Sequence, residues 1–148
     1  PSLAAVINGR IGTASGLSTY RPIDEQDIER VLRHVFDATS AAGAICGTHC
    51  CADDAPIDVI RRSGARFVGV DLTIAMSDGD RDRRDREIGV AVESGVGLHA
   101  GCVPAIAPAD LGPGLSDAKA SAPIRELLSR LGLTDPRWLD QVAITPSC

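Results

Sequence analysis

The chain has 148 residues, and its 15 basic and 20 acidic side chains give a formal net charge of −5. Hydrophobic residues make up 44% of the sequence and charged residues 24%, which is typical of a folded globular domain and excludes a disordered chain. The sequence contains neither a basic run nor an apolar run of about 18 residues. We therefore expect neither nucleic acid nor a membrane as a partner.

The chain carries five cysteines, an odd number, at positions 46, 50, 51, 102 and 148. A secreted disulfide scaffold usually has an even number of cysteines in a shorter chain. The cysteines are therefore predicted to be free thiols or metal-bound thiolates. Both states are typical of the reducing cytoplasm, which is the expected location of the protein.

In chain order, the first predicted element is a helix from Asp24 to Ala42, capped by Asp24 and ended by Gly43. Its apolar residues recur three and four apart, which predicts one buried face made of Ile28, Val31, Leu32, Val35 and Phe36. A short apolar strand follows at 44–48. Pro56 then opens a helix at 57–62, and a second buried strand is predicted at 67–71.

The second half of the chain repeats the alternation of helix and strand. A polar run at 78–86 predicts a solvated lead into a helix at 84–93, with phosphate binding by Arg81, Arg83 and Arg84 as the alternative. A strand at 96–103 and a loop at 104–115 come next. The last predicted elements are a helix from Ser116 or Ser121 to Leu131 and a strand at 142–145.

Continuous apolar strands that alternate with helices predict the α/β class, with four parallel strands covered by helices. Polar residues stand where these strands end. His49 and Cys51 follow the first strand, Asp71 ends the second and Cys148 follows the fourth. Ligands bind at the carboxyl ends of parallel strands, so this edge of the sheet is the predicted functional site.

The His49-Cys50-Cys51 tripeptide is the first candidate for metal chemistry. Residues two apart on an extended backbone share a face, so His49 and Cys51 are predicted to point together, as half of a tetrahedral zinc site. The alternative is a core cysteine beside a histidine in solvent. Cys50 is predicted to be a small buried apolar residue, or one half of a redox-active thiol pair. Asp71 is a metal ligand or a cap of the following turn.

Several short segments together resemble the catalytic barrel of the cobalamin-independent methionine synthase family, within the superfamily that also contains uroporphyrinogen decarboxylase. They are Thr48-His49-Cys50-Cys51, the strand that ends in Asp71, Gly101-Cys102-Val103-Pro104, and Ala143-Ile144-Thr145-Pro146-Ser147-Cys148. Pro1-Ser2-Leu3 is similar to the segment that follows the family's Asp-Glu-Pro strand end. The resemblance implies that residues 1–148 form the second half of a (β/α)8 TIM barrel, which needs its other half to be complete.

The resemblance also implies site residues. His49, Cys51 and Cys148 correspond to zinc ligands, and Asp71 stands where the family usually has a ligating glutamate. Ile106 occupies a position at which the family has a histidine implicated in proton handling, and His99 on the same strand is the candidate substitute. The loss of that histidine bears on methyltetrahydrofolate as methyl donor, because shorter relatives take methyl groups from other donors, including corrinoid proteins.

The resemblance predicts a zinc-dependent methyltransferase of methionine and amino-acid biosynthesis. It would activate a thiol, with homocysteine as the favoured acceptor and methyltetrahydrofolate or another methyl carrier as donor. One alternative is a corrinoid-dependent thiol methyltransferase or a relative of uroporphyrinogen decarboxylase. Two further alternatives are a non-catalytic module that binds zinc or a thiol, and a structural protein with a cysteine-rich core.

Overall fold

The computed structural model describes residues 2–105 and 117–147, which form a mixed α/β fold. The helices are α1 (Leu3–Ile7), α2 (Glu25–Ala41), α3 (Ile57–Arg62), α4 (Asp78–Glu93) and α5 (Asp117–Arg130), and the strands are β1 (Gly47–His49), β2 (Phe67–Asp71), β3 (Gly97–Val103) and β4 (Val142–Pro146). In this described part of the chain, no helix combines the length and the apolar character needed to cross a membrane.

Local sequence signals explain where the long helices begin and end. The Asp24 side chain accepts a hydrogen bond from the backbone N–H of Gln26 at 2.8 Å, and Gly43, with a φ of 83°, follows the last turn of α2. These are the predicted cap and stop. Helix α4 begins at Asp78, six residues before the predicted start, because the Ser77 hydroxyl accepts from the N–H of Asp80 and caps it there.

Two elements were not anticipated from the sequence. Helix α1 is only five residues long, too short for a periodic pattern to be visible, and a 3-10 turn at Pro136–Gln141 leads directly into β4. The proline at position 123 lies inside α5 without ending it. The predicted loop at 104–115 lies outside the described residues, apart from its first two positions.

The four described strands form one parallel sheet in the order β1-β2-β3-β4, which confirms the predicted parallel sheet. The strand order follows the chain order without a reversal. His49 pairs in register with Gly69, and Gly69 pairs with His99. Asp71 lies two residues farther along β2, opposite Gly101 of β3. Neighbours in register point to the same face, so the register decides which side chains share a surface.

The hydrophobic core lies on one face of this sheet. Val68 and Val70 of β2 and Leu98 and Ala100 of β3 alternate toward it. The helices add a second set of buried residues to the same cluster, namely Phe36, Ile57, Ile60, Ile88, Val92, Ile124 and Leu127. The residues of the opposite face, which include His49 and His99, are not members of this core.

Two sequence predictions about burial are wrong. Val31, predicted on the buried face of α2, is 61% exposed, and Val35 is exposed as well, because α2 contributes only Ile28 and Phe36 as buried residues. In α4 the polar run was predicted to be solvated, yet Arg84 and Asp85 are buried. The helix starts earlier than predicted, so this turn packs against the protein and does not precede the helix.

Candidate functional site

The carboxyl ends of the strands bring the predicted site residues to one edge of the sheet. Strand β1 ends at His49 and β2 ends at Asp71, and because all strands are parallel these ends lie on the same side. Cys51 follows β1 after one residue. The fourth predicted ligand, Cys148, and the position of the missing histidine, Ile106, lie outside the described residues.

The position of His49 depends on a glycine of the neighbouring strand. A Cβ atom built on Gly69 would lie 2.7 Å from Nδ1 of His49 and 3.3 Å from its Cβ. Such distances are shorter than real Cβ contacts allow, so the imidazole occupies the space that any other residue at position 69 would fill. His49 is exposed, and its ring therefore lies over β2 within reach of a ligand.

His99 lies on the same face as His49 but is not its neighbour. Gly69 separates the two histidines, so their Cα atoms are two strand spacings apart, about 10 Å. The His99 ring stacks on the ring of Phe67, with 4.2 Å between centroids and an interplanar angle of 12°. This aromatic contact fixes the orientation of the imidazole. The structure thus gives His99 a defined packing partner and does not bring it beside His49.

The two adjacent cysteines lie in different environments, as the period of an extended chain predicts. The Cys50 N–H donates to the carbonyl of Gly69 at 2.9 Å, which continues the ladder past the end of β1. Cys50 is buried and Cys51 is exposed. Burial raises the pKa of the Cys50 thiol, and neighbouring negative charge at Cys51 and Asp54 raises it further, against a lowering hydrogen bond at the backbone of Ala52. Burial raises the pKa of Cys102 in the same way.

We expect iodoacetamide to alkylate Cys51 in the folded protein while Cys50 and Cys102 stay unmodified. The thiolate is the reactive form, and a raised pKa keeps a thiol protonated at neutral pH. Peptide mass spectrometry with fragmentation between positions 50 and 51 locates the label, and the Cys51→Ser variant is the control. Labelling of Cys50 at the rate of Cys51 under native conditions would contradict this assignment.

Asp71 makes the turn-capping contact that was one of its two predicted roles. Its carboxylate is buried, and Oδ1 accepts hydrogen bonds from the N–H of Thr73 at 2.8 Å and from its hydroxyl at 2.6 Å. Within the described residues, Oδ2 receives no hydrogen bond. Arg84 donates from Nη1 to the backbone carbonyl of Asp71 at 3.1 Å and so anchors the end of β2. One carboxylate oxygen is therefore committed to the turn, and the other is available to a ligand.

The chemistry of the donors fits zinc, whereas the described geometry shows only part of a site. Imidazole, thiolate and carboxylate are the ligands that zinc takes, and His49 and Cys51 are both accessible. Within residues 2–105 and 117–147, no three His, Cys, Asp or Glu side chains are grouped closely enough to hold a metal ion. The side chains that ligate the metal thus have to include Cys148 or another donor outside this part of the chain.

Gly69 and Phe67 contribute to this surface, and sequence reasoning did not single them out. Each lies in an apolar strand, where glycine and phenylalanine suggest only packing, and no local signal marks their contacts with histidines of neighbouring strands. Their roles follow from the register of the sheet. Since many activities occur on parallel α/β sheets, function has to be argued from such side chains. Comparison of this chain with protein-family models, with curated proteins and with solved structures gave no match.

Proposed function

We propose that this protein is a zinc-dependent methyltransferase that activates a thiol, with a homocysteine-like compound as acceptor. The observation that carries the proposal is the placement of His49 and Cys51. Both are exposed at the carboxyl edge of a parallel sheet, and Gly69 leaves the space that the imidazole needs. A histidine and a cysteine two residues apart at such an edge are the expected beginning of a catalytic zinc site.

The proposal includes the barrel that the resemblance implies, with these four strands as its second half. Helices pack on one face of a barrel sheet, and the strand order follows the chain. The described sheet has this order, and its core lies on one face. A doubly wound sheet would reverse its strand order and carry helices on both faces. The opposite face, with its glycines and two histidines, would then line the barrel interior.

Exposed apolar residues at both edges of the sheet support a missing half. Val31 and Val35 on α2, together with Ile45 just before β1, expose apolar surface at the first edge, while Leu139 and Ile144 do so beside and on β4. Each edge strand also presents unpaired backbone groups. Four further strands with their helices would cover both edges. A monomeric 148-residue chain that folds cooperatively by itself would contradict this part of the proposal.

Each site residue has a proposed role. His49, Cys51 and Cys148 would hold the zinc, and Oδ2 of Asp71 would be the exchangeable fourth ligand. When bound, zinc supplies Lewis acidity that lowers the pKa of a substrate thiol to neutral pH. Two thiolates and a carboxylate give the site negative charge, which preserves the nucleophilicity of the substrate sulfur. Thr73 holds the other Asp71 oxygen and so limits rotation of the carboxylate.

The transfer itself requires the acceptor thiol to lose its proton before a sulfur–methyl bond forms. The bond between the methyl group and its donor breaks in the same displacement, and the donor leaves with the electron pair. Methyltetrahydrofolate or another methyl carrier, including a corrinoid protein, is the proposed donor. The described cysteines are all free, which suits the reducing cytoplasm as the place of the reaction.

Metal analysis tests the proposal. We expect purified protein to contain close to one zinc per chain, and the variants His49→Ala, Cys51→Ser and Cys148→Ser each to lose most of it, because removal of one ligand weakens a zinc site strongly. His34→Ala is the matched control, since His34 is exposed on α2 away from the strand ends, and it should retain wild-type zinc. Inductively coupled plasma mass spectrometry after dialysis measures the content.

Two results would redirect the assignment. Equal zinc content in the wild type and all three ligand variants would remove the metal site. Zinc that is retained without any methyl transfer to homocysteine, from methyltetrahydrofolate or from a methylated corrinoid, would identify a non-catalytic binding module. Transfer from the corrinoid alone would favour the corrinoid-dependent alternative.

A further inference from the structure

A polar cavity of about 280 Å³ lies between α4, α5 and the segment that follows β2. Leu72, Ile74, Pro123 and Leu127 form its apolar walls, and Arg81, Arg84, Arg130 and Glu126 supply its charged groups. The volume is several times the share of one water molecule in the liquid, about 30 Å³. Three guanidinium groups thus converge on a space large enough for a small ligand.

Arg84 is the exceptional member of this group, because it is buried without a countercharge of its own. It is 6% exposed, and within the described part of the chain its one hydrogen bond goes to a backbone carbonyl, that of Asp71. Its Nε atom is buried and has no partner there. A buried cation without an ion pair is costly unless an anion neutralises it. Burial lowers the pKa of Arg84, and the charges of Arg130 and Arg81 lower it further.

The other two arginines are held in place by the protein. Arg130 donates from Nε to Oδ2 of Asp85 at 2.7 Å, and Arg81 donates to Asp78 at 3.1 Å and to the carbonyl of Met76 at 3.3 Å. Each therefore keeps N–H groups beyond those used in these contacts, since a guanidinium has five. The fixed contacts position both side chains before any ligand arrives.

We propose that this cavity binds a phosphate-type oxyanion, either the free ion or the phosphoryl group of a larger ligand. Guanidinium groups match the geometry of phosphate oxygens, and a dianion has enough acceptors for three of them. The ligand would supply the countercharge that Arg84 lacks. Arg83, from the same arginine run, is not part of this site: it pairs with Glu87 at 3.3 Å and lines a different cavity.

Calorimetric titration of the full chain with inorganic phosphate tests the site, with sodium chloride of equal ionic strength as the reference. We expect saturable binding by the wild type and at least a tenfold weaker affinity in Arg84→Met and in Arg81→Gln. Arg81 is only half-buried, so Arg81→Gln decides the matter if Arg84→Met does not fold. Arg83→Gln is the matched control, and its affinity should stay within twofold of the wild type.

Phenyl phosphate, titrated in parallel, distinguishes the two sources of the oxyanion. Tighter binding than inorganic phosphate would assign the site to the phosphoryl group of a larger ligand, and equal or weaker binding would assign it to the free ion. The proposal is overturned if neither compound binds saturably beyond the salt reference. It is also overturned if Arg83→Gln weakens binding as much as Arg81→Gln does.

Discussion

Replacing Leu98 with alanine is expected to lower the free energy of unfolding by about 3 kcal/mol, the largest stability effect we anticipate for a single substitution. Leu98 is 0% exposed and lies in the middle of the sheet, in register with Val68 of β2 and Val142 of β4. The substitution removes three carbon atoms and leaves a cavity that strands on both sides prevent from collapsing. Urea unfolding followed by circular dichroism measures the change.

The matched control for this prediction is Leu139→Ala. Leu139 is 53% exposed beside β4, and its truncation should change stability by less than about 0.5 kcal/mol. A comparable loss in both variants would mean that the region around Leu139 is covered in solution. A loss below about 1 kcal/mol for Leu98→Ala would contradict the placement of β3 at the centre of the core.

Replacing Gly69 with alanine is expected to weaken zinc binding by at least about tenfold while stability changes by no more than about 1 kcal/mol. The new Cβ would lie 2.7 Å from Nδ1 of His49, so the imidazole has to rotate away. Rotation of an exposed ring costs little folding free energy, yet it removes a ligand from its position. Competition with a zinc chelator measures the affinity, and the imidazole resonances of His49 report the displacement.

Gly97→Ala provides the control for the Gly69 substitution. Gly97 lies on the same face of the sheet, but a Cβ there would meet its nearest atoms at 3.5 Å or more, which is ordinary contact. Zinc affinity in this variant should therefore match the wild type. If His49 resonances stay unchanged in Gly69→Ala and zinc is still lost, the glycine acts by some route other than clearance for the ring.

Elements with strong local signals were predicted closely. Helix α3 and strand β2 have the predicted bounds, and the cap at Asp24 is confirmed. The start of α4 was misplaced because charged residues at 78–83 look like a loop, whereas the Ser77 cap begins the helix ahead of them. Exposure of Val31 could not be foreseen, because periodicity shows that a face is apolar and does not show what covers it.

The candidate site divides in the same way. The alternation of side chains along an extended chain correctly separated buried Cys50 from exposed Cys51, since that alternation is a local property. The contact of Asp71 with Thr73 is equally local, two residues apart, and turn capping was one of its predicted roles. The position of the His49 ring over Gly69 joins residues twenty apart in sequence, and it depends on the pairing register of β1 with β2.

By itself, the sequence determined the alternation of helices and strands, the parallel sheet and the polar residues at its carboxyl edge. These features follow from periodicity, capping and the apolar runs of buried strands, all of which act over a few residues. Only the tertiary structure decided which of two neighbouring arginines faces which cavity, and that Arg84 is buried beneath Asp71 without a countercharge among the described residues. Such placements depend on how α4 packs against α5 and the sheet, which no local pattern records.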